Sequence, residues 1–108
     1  MPDLPATFAA LGDATRFAIV NRLLREGELS AGDLQKTVAI SAPAVSRHLK
    51  VLREVGIVDQ RIDKQRRIYS ARPEAVAAIS NWTTSHRAFW EGSLDRLQAA
   101  LDNAGEKR

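Results

Sequence analysis

The chain has 108 residues, of which 44% are hydrophobic and 27% are charged, and its formal net charge at pH 7 is +3. This length allows one modest hydrophobic core, and the composition is that of a globular protein rather than a disordered chain, so we expect a single domain over residues 1–108. Cysteine is absent, which excludes disulfide bonds, thiolate metal sites and thiol redox sensing.

The sequence carries no targeting or membrane signal. Residues 1–16 lack the basic start and the long apolar run of a signal peptide. No stretch of the chain approaches the roughly 18 consecutive apolar residues of a membrane span. We therefore expect a cytoplasmic protein that has no membrane partner.

Two helices are predicted at the start of the chain. The apolar spacing over residues 4–11 indicates a short helix that ends at Gly12. Asp13 can cap a second helix, which runs to about Glu26 and is stopped by Gly27. An apolar stripe predicts that this second helix belongs to the core: Phe17, Val20, Leu23 and Leu24.

A third and a fourth helix follow. Ser30 opens the run S-A-G-D, a capping-box-like start in which Asp33 stands where Glu or Gln is more usual, and the third helix ends near Val38. Ser41 is a good N-cap for a fourth helix, which runs to Val55. A short helix, a tight turn and a longer helix form a helix-turn-helix.

The second half of the chain changes pattern. Two short β-rich runs predict a hairpin over residues 57–71. Its tip, residues 63–66, lacks glycine, so we expect a loop of about four residues built on a type I turn. Pro73 then opens a single long helix over residues 73–103, which Gly92 weakens without breaking.

These elements predict a mainly α-helical fold with a small β-hairpin wing, that is, a winged helix-turn-helix. The order is four helices, two strands and a fifth helix, with the helix-turn-helix at 30–55 and the wing at 57–71. At about 100° per residue, the fourth helix turns an apolar side inward: Val45, Leu49 and Leu52. It turns a second side outward: Pro43, Ser46, Arg47 and Lys50.

This outward side suits the major groove of double-stranded DNA. The small residues near its N-terminal end let the backbone approach base edges, and Arg47 is the first choice for reading a base because a guanidinium can bind O6 and N7 of guanine together. Between Arg47 and Arg72 lie eight basic and only three acidic residues, so the hairpin can bind phosphates. The candidate DNA-contacting residues are Ser41, Ala42, Pro43, Ser46, Arg47, Lys50, Lys64, Gln65, Arg66 and Arg67.

The last helix carries an apolar stripe that includes both tryptophans of the chain. A domain of this size cannot easily cover that much apolar surface alone, so we expect a homodimer through the helices at 4–11 and 73–103. The alternative is that the two tryptophans cap the core of one subunit. The candidate interface residues are Leu4, Phe8, Trp82, Phe89, Trp90, Leu94, Leu97 and Leu101.

The chain resembles the ArsR family of bacterial winged-helix repressors from its first helix through most of its last. The resemblance lies in F-A-A-L-G-D-A-T-R-F-A-I-V at 8–20, in G-E-L-S-A-G-D-L at 27–34, and above all in S-A-P-A-V-S-R-H-L-K-V-L-R-E-V-G-I-V at 41–58. It implies a homodimer, a recognition helix at 41–55, a wing near 57–71, and transcriptional repression relieved by a signal.

The chain departs from the metal-binding members of that family. Many of them bind metals through cysteines near the third helix, where this chain has Leu29, Ser30 and Ala31. Others use an Asp-x-His pair on the last helix, but here Thr84 precedes His86 by two and no second histidine follows. The resemblance is thus to the branch without recognisable metal ligands, and we expect no metal and no cofactor.

A few polar residues leave their roles open at this stage. His48 lies nearer the apolar side of its helix than the groove-facing side, which favours a half-buried, hydrogen-bonded histidine. His86, inside the apolar stripe, is either sensitive to pH or in contact with a ligand. Arg16 either contacts a phosphate or pairs with an acidic neighbour such as Asp13. No phosphate loop, nucleophile elbow or dinucleotide fingerprint indicates an enzyme.

The leading interpretation is a sequence-specific DNA-binding transcriptional regulator that represses by binding a pseudo-palindromic operator as a homodimer without a bound metal. One alternative is a repressor that responds to a metal or a small molecule through an unrecognised effector site. Another is a winged-helix module used for protein contacts. The identity of a small-molecule effector does not follow from the sequence.

Overall fold

The computed structural model describes residues 3–106. The helices in this range are α1 (Leu4–Leu11), α2 (Ala14–Glu26), α3 (Ala31–Thr37), α4 (Ala42–Glu54), α5 (Pro73–Ser85) and α6 (Arg87–Glu106). The strands are β1 (Leu29–Ser30), β2 (Val58–Asp63) and β3 (Arg66–Ala71). The chain divides into two compact units at the bond between Ala78 and Ile79. The predicted mainly α-helical fold with a β-hairpin is confirmed.

The hairpin belongs to a three-stranded antiparallel sheet with the order β1-β3-β2. The short strand β1 was not predicted; it pairs Leu29 with Tyr69 and Ser30 with Ile68. The wing is therefore attached to the helix-turn-helix, because the last residue of β1 is also the residue that caps α3.

The caps lie where the sequence predicted them. The Asp13 carboxylate accepts from the Arg16 amide at 3.0 Å and starts α2. Ser30 and Asp33 form a reciprocal capping box at the start of α3. The Ser41 hydroxyl accepts from the Ala44 amide at 3.3 Å and starts α4. Each cap satisfies an amide that the first turn of a helix leaves unpaired.

The capping box makes the fold sensitive to acid. Hydrogen bonds from the Ser30 hydroxyl (2.9 Å) and then from the Ser30 amide (3.4 Å) lower the pKa of Asp33. Ionised Asp33 therefore stabilises the fold above its unfolded-state pKa, and this contribution is lost as the pH falls through the lowered value. We expect the unfolding free energy of Asp33→Asn to change less than that of the wild type between about pH 5 and about pH 2. Urea unfolding at each pH measures this, and equal acid sensitivity would contradict it.

The core of the first unit lies between the helices and the inner face of the sheet. Its largest fully buried side chains are Ile19, Leu23, Leu34, Leu49, Leu52, Val45 and Val58. The prediction that Phe17 and Leu24 pack in this core was wrong, since each is 52% exposed. The buried side of α2 is centred on Ile19, Val20 and Leu23, and Phe17 lies more than a quarter turn away from that centre.

Local contacts fix the elements on either side of α4 in the sequence. The Arg22 guanidinium of α2 donates to the Asp33 carbonyl at 2.6 Å and to the Thr37 hydroxyl, which ties α2 to α3. Gly56 has a φ of +82°, a left-handed conformation that lets the chain turn sharply at the end of α4. After this turn, Ile57 accepts from the Arg72 amide at 2.7 Å and closes the base of the hairpin.

The prediction of one continuous last helix was wrong, because the structure has two helices there. The helix is interrupted at His86, between α5 and α6, and not weakened at Gly92. The hydroxyls of Thr83 and Ser85 donate to backbone carbonyls four residues earlier, at 3.0 Å and 2.7 Å. The His86 amide turns to the Thr83 carbonyl, three residues back, at 3.2 Å. The Trp82 carbonyl, to which the His86 amide would donate in a continuous helix, lies instead 2.8 Å from Nδ1 of the His86 ring.

Within residues 3–106, no helix combines the length and the apolar character that crossing a bilayer requires.

Candidate nucleic-acid interface

Helix α4 presents a polar face to solvent, as the sequence predicted. Ser46, Arg47 and Lys50 are exposed, whereas Val45 and Leu49 are buried on the other side of the helix. Three further predicted contact residues at the start of the helix are exposed as well: Ser41, Ala42 and Pro43. Proline costs little there, because the amide that it lacks would be unpaired in the first turn.

The wing turn is shorter than predicted. Asp63 pairs with Arg66, so only Lys64 and Gln65 form the turn, and the predicted four-residue loop is wrong. Opposite charges face each other at the last pair of the ladder, which favours pairing up to the tip. Lys64 has a φ of 59°, the one positive value at a non-glycine position in the described residues. A lysine in this conformation costs about 1–2 kcal/mol.

The candidate wing residues Lys64, Gln65, Arg66 and Arg67 are all exposed. Two other arginines of the basic segment are neutralised by neighbours. The Arg61 guanidinium donates to Glu28 at 2.5 Å, which raises the pKa of Arg61, and Arg72 lies 2.7 Å from Asp59. Within residues 3–106, the remaining basic residues of the segment make no ion pair: Arg47, Lys50, Arg53, Lys64, Arg66 and Arg67.

The sequence analysis counted Arg53 in the basic segment but did not name it as a candidate contact residue. This residue is exposed on α4, three positions after Lys50 and seven after Ser46, so all three lie on one side of the helix. The helical spacing was the signal that could have identified it. Arg53 extends the line of free cations on α4 by one turn.

A groove of about 600 Å³ joins α4 to the hairpin. Its lining carries more basic than acidic side chains and consists, from the helix, of Ser46, Lys50, Arg53 and Glu54 and, from the hairpin and the residue after it, of Val58, Asp59, Gln60, Arg67, Tyr69 and Arg72. The two predicted contact elements therefore form one continuous cationic surface, which we call the reading surface. It consists of the exposed residues Ser41, Ala42, Pro43, Ser46, Arg47, Lys50, Arg53, Lys64, Gln65, Arg66 and Arg67. A surface of this shape and charge can bind the phosphates and base edges of a duplex.

Arg16 does not belong to this surface. Its Nε donates to the Ala10 carbonyl at 2.8 Å, and its Nη1 lies 3.3 Å from Nδ1 of His48. Its amide, more than its charge, lowers the pKa of Asp13. The alternative of an ion pair with an acidic neighbour such as Asp13 is not observed within residues 3–106, because only the Arg16 amide bonds to Asp13. His48 is half-buried and hydrogen-bonded, as predicted.

In the second unit, the predicted interface side chains are exposed: Trp82, Phe89, Trp90, Leu94, Leu97 and Leu101. The rings of Phe89 and Trp90 meet edge to face with centroids 4.9 Å apart. In the first unit, Phe8 is exposed and Leu4 is half-buried. An apolar stripe of this length is the kind of surface that a second chain covers.

The described residues hold no group of three or more histidine, aspartate or glutamate side chains that could bind a metal ion. His86, which the sequence left open, has its Nδ1 2.8 Å from the Trp82 carbonyl. A structural zinc ion takes four ligands.

Comparison with known proteins gives three kinds of similarity. Residues 11–61 match a family model described as a helix-turn-helix domain. The HTH-type transcriptional regulator Rv2034 of Mycobacterium tuberculosis is 39% identical over 97 residues, which cover 90% of this chain and 87% of that protein. A solved ArsR family transcriptional regulator superposes with a TM-score of 0.73 at 27% identity, over 82% of this chain and 96% of that one. The transcriptional repressor BigR from Xylella fastidiosa superposes with a TM-score of 0.62 at 30% identity, over 75% of this chain and 83% of that one.

Proposed function

Because the chain belongs to the ArsR family of winged helix-turn-helix transcriptional regulators, we propose that this DNA-binding regulator is a homodimeric repressor that binds a pseudo-palindromic operator without a bound metal. The observation that carries the proposal is the reading surface, on which Arg47 and Lys50 are exposed and, within residues 3–106, free of ion pairs, beside a cationic wing. Such groups cost little to bring to DNA because no internal partner must first be released.

The elements of the reading surface have different roles in this proposal. Arg47 reads a base and Ser46 lies close to base edges, while Lys50 and Arg53 extend to guanine or to phosphate. Lys64, Gln65, Arg66 and Arg67 hold the wing on the backbone, where their positive charge supplies affinity and little sequence preference. Ser41, Ala42 and Pro43 let the N-terminal end of α4 enter the groove.

A two-fold symmetric dimer would account for a pseudo-palindromic operator. Two copies that meet through the apolar stripe of the second unit, with Leu4 and Phe8 of α1, would bury these side chains in an isologous contact. Each copy then reads one half-site, and the two half-sites lie about one helical turn apart. A dimer seated across a promoter blocks polymerase, which is the simplest route to repression. Such a protein acts on DNA in the cytoplasm and needs no catalytic residues.

Footprinting on the DNA just upstream of the protein's own coding region tests this proposal. We expect two protected segments with centres about 10 base pairs apart, or a multiple of that spacing. Absence of protection on every promoter fragment, even in dilute buffer, would overturn the proposal. Zinc or nickel added to the same reaction tests the alternative of a metal-responsive repressor, since a change in protection on addition of either ion would support that alternative.

A further inference from the structure

His48 and Arg16 form a link between two parts of the first unit that are far apart in sequence. Arg16 is held at three points: its amide by Asp13, its Nε by the Ala10 carbonyl at 2.8 Å, and its Nη1 by Nδ1 of His48 at 3.3 Å. His48 lies on the recognition helix α4, directly after Arg47. The corner between α1 and α2 thus contacts the helix that reads DNA.

The chemistry of this contact determines which nitrogen of His48 carries the proton. A guanidinium has only N–H donors and stays protonated, so Nδ1 must be the acceptor. The neutral ring then carries its hydrogen on Nε2. The charged groups near this ring are Arg16 and Asp13.

Within residues 3–106, Nε2 of His48 is neither hydrogen-bonded nor fully buried. In the described part of the chain, no hydrogen bond is made by this atom, yet no buried side-chain nitrogen or oxygen lacks a partner there. Because His48 is only half-buried, both observations hold together when Nε2 reaches the surface. The ring therefore presents one fixed, unused N–H donor.

The position of His48 on α4 indicates what this donor would meet. At about 100° per residue, His48 lies on the flank opposite the groove-lining residues Ser46, Lys50 and Arg53, with Arg47 between the two flanks. A helix with its side chains is about 10–12 Å wide, and the major groove is about 12 Å wide. A helix in the groove therefore has a phosphate backbone along each flank.

We infer that His48 is a further DNA-contacting residue, which donates from Nε2 to a backbone phosphate on the side of the groove opposite the wing, and that Arg16 is a positioning residue that holds its ring. This inference rests on the proposed function, since it requires α4 to lie in the major groove. The contact is made by a neutral donor, so it adds affinity on any sequence without releasing a counterion.

Two conservative substitutions of His48 distinguish the role of Nδ1 from the role of Nε2. His48→Asn places an amide oxygen near the position of Nδ1, so it keeps an acceptor for Arg16 but has no group at the position of Nε2. His48→Gln reaches the position of Nε2 with an amide N–H donor and offers Arg16 no acceptor near Nδ1. Fluorescence anisotropy of the full chain at about pH 8, where ordinary imidazoles are neutral, gives the Kd for the footprinted duplex and for an unrelated duplex.

We expect His48→Asn to raise Kd about tenfold on both duplexes, with the salt dependence of the wild type. His48→Gln should stay within about threefold of the wild type, and Lys64→Ala should lower the salt slope by about one. Wild-type affinity in His48→Asn would overturn the inference, as would equal losses in both His48 variants, which would show an effect on helix placement instead.

A measurement on the wild-type protein keeps the test independent of the variants. A long-range ¹H–¹⁵N spectrum of the free protein should show His48 with its proton on Nε2, and a proton on Nδ1 would overturn the inference. If the proposed function itself is wrong, the wild-type protein does not distinguish the footprinted duplex from the unrelated one. Arg47→Ala, which is expected to lose this distinction, shows what that result looks like.

Discussion

Replacement of Arg47 by alanine should weaken operator binding by about 1–3 kcal/mol, which is a loss of about fivefold to about 150-fold in affinity. Arg47 is exposed on α4 and makes no ion pair among residues 3–106, so its removal leaves no internal group without a partner. The loss should fall mainly on the operator, because a base contact adds little on unrelated DNA. Anisotropy titrations with both duplexes at one salt concentration measure the ratio.

Arg25→Ala is the matched control for this experiment. Arg25 is an exposed arginine near the end of α2, outside the reading surface, and its removal takes away the same charge. We expect this variant to bind both duplexes within about twofold of the wild type, since a distant exposed charge is screened at physiological salt. If Arg47→Ala keeps full operator discrimination, the assignment of the reading face is wrong, and a function in protein contacts gains support.

A charge placed in the apolar stripe of α6 should have the larger effect of the two. Leu97 is 58% exposed, so glutamate at this position does not disturb the fold of one chain. In a dimer through this stripe, the same substitution would bury an unpaired carboxylate, which costs several kcal/mol. We expect Leu97→Glu to be monomeric by sedimentation, and its operator affinity to fall by more than about a hundredfold because the two half-sites are no longer bound together.

Ala99→Glu controls for the added charge and for the helix itself. Ala99 is exposed on α6, on the side opposite Leu94, Leu97 and Leu101. This variant should remain dimeric and bind the operator like the wild type. A dimeric Leu97→Glu with normal operator affinity would refute dimerisation through this stripe and favour the interpretation in which the aromatic residues of the second unit cover a core within one chain.

The helix-turn-helix was predictable because its signals are local. Ser30 with Asp33, and Ser41 with the amide of Ala44, are caps that act within one helical turn. The apolar positions of α4 repeat at helical spacing without interruption, so the exposed side followed directly. The observed α4, Ala42–Glu54, ends one residue before the predicted end at Val55.

Features that depend on competition for backbone hydrogen bonds, or on contacts between residues far apart in sequence, were not predictable in this way. At the break, the His86 amide donates to the Thr83 carbonyl and the His86 ring lies against the Trp82 carbonyl that a continuous helix would use. The contact between Arg16 and His48 spans 32 positions, so a helical wheel could place the ring near the core without naming its partner. The strand β1 is only two residues long, and it exists only because β3 lies beside it.

The left-handed conformation of Lys64 is a further feature that the sequence did not predict. Glycine, asparagine and aspartate are the usual residues at positive φ in tight hairpin turns, and the sequence D-K-Q-R has no such residue at the turn positions. The ladder continues to Asp63 and Arg66 all the same. Pairing along six positions of each strand stabilises the hairpin enough to hold one lysine in an unfavourable conformation.

This uninterrupted ladder restricts how the wing can be lengthened or grafted between proteins. Successive residues point to opposite faces of a strand, so one residue inserted after Arg66 would send Arg67 to the far side of the ribbon and would draw Ile68 away from the core. One residue added to each strand keeps the parity of every existing pair and carries the tip outward by about 3.4 Å. Wings of longer reach are therefore accessible to this scaffold in paired steps, and single-residue insertions in either strand are not.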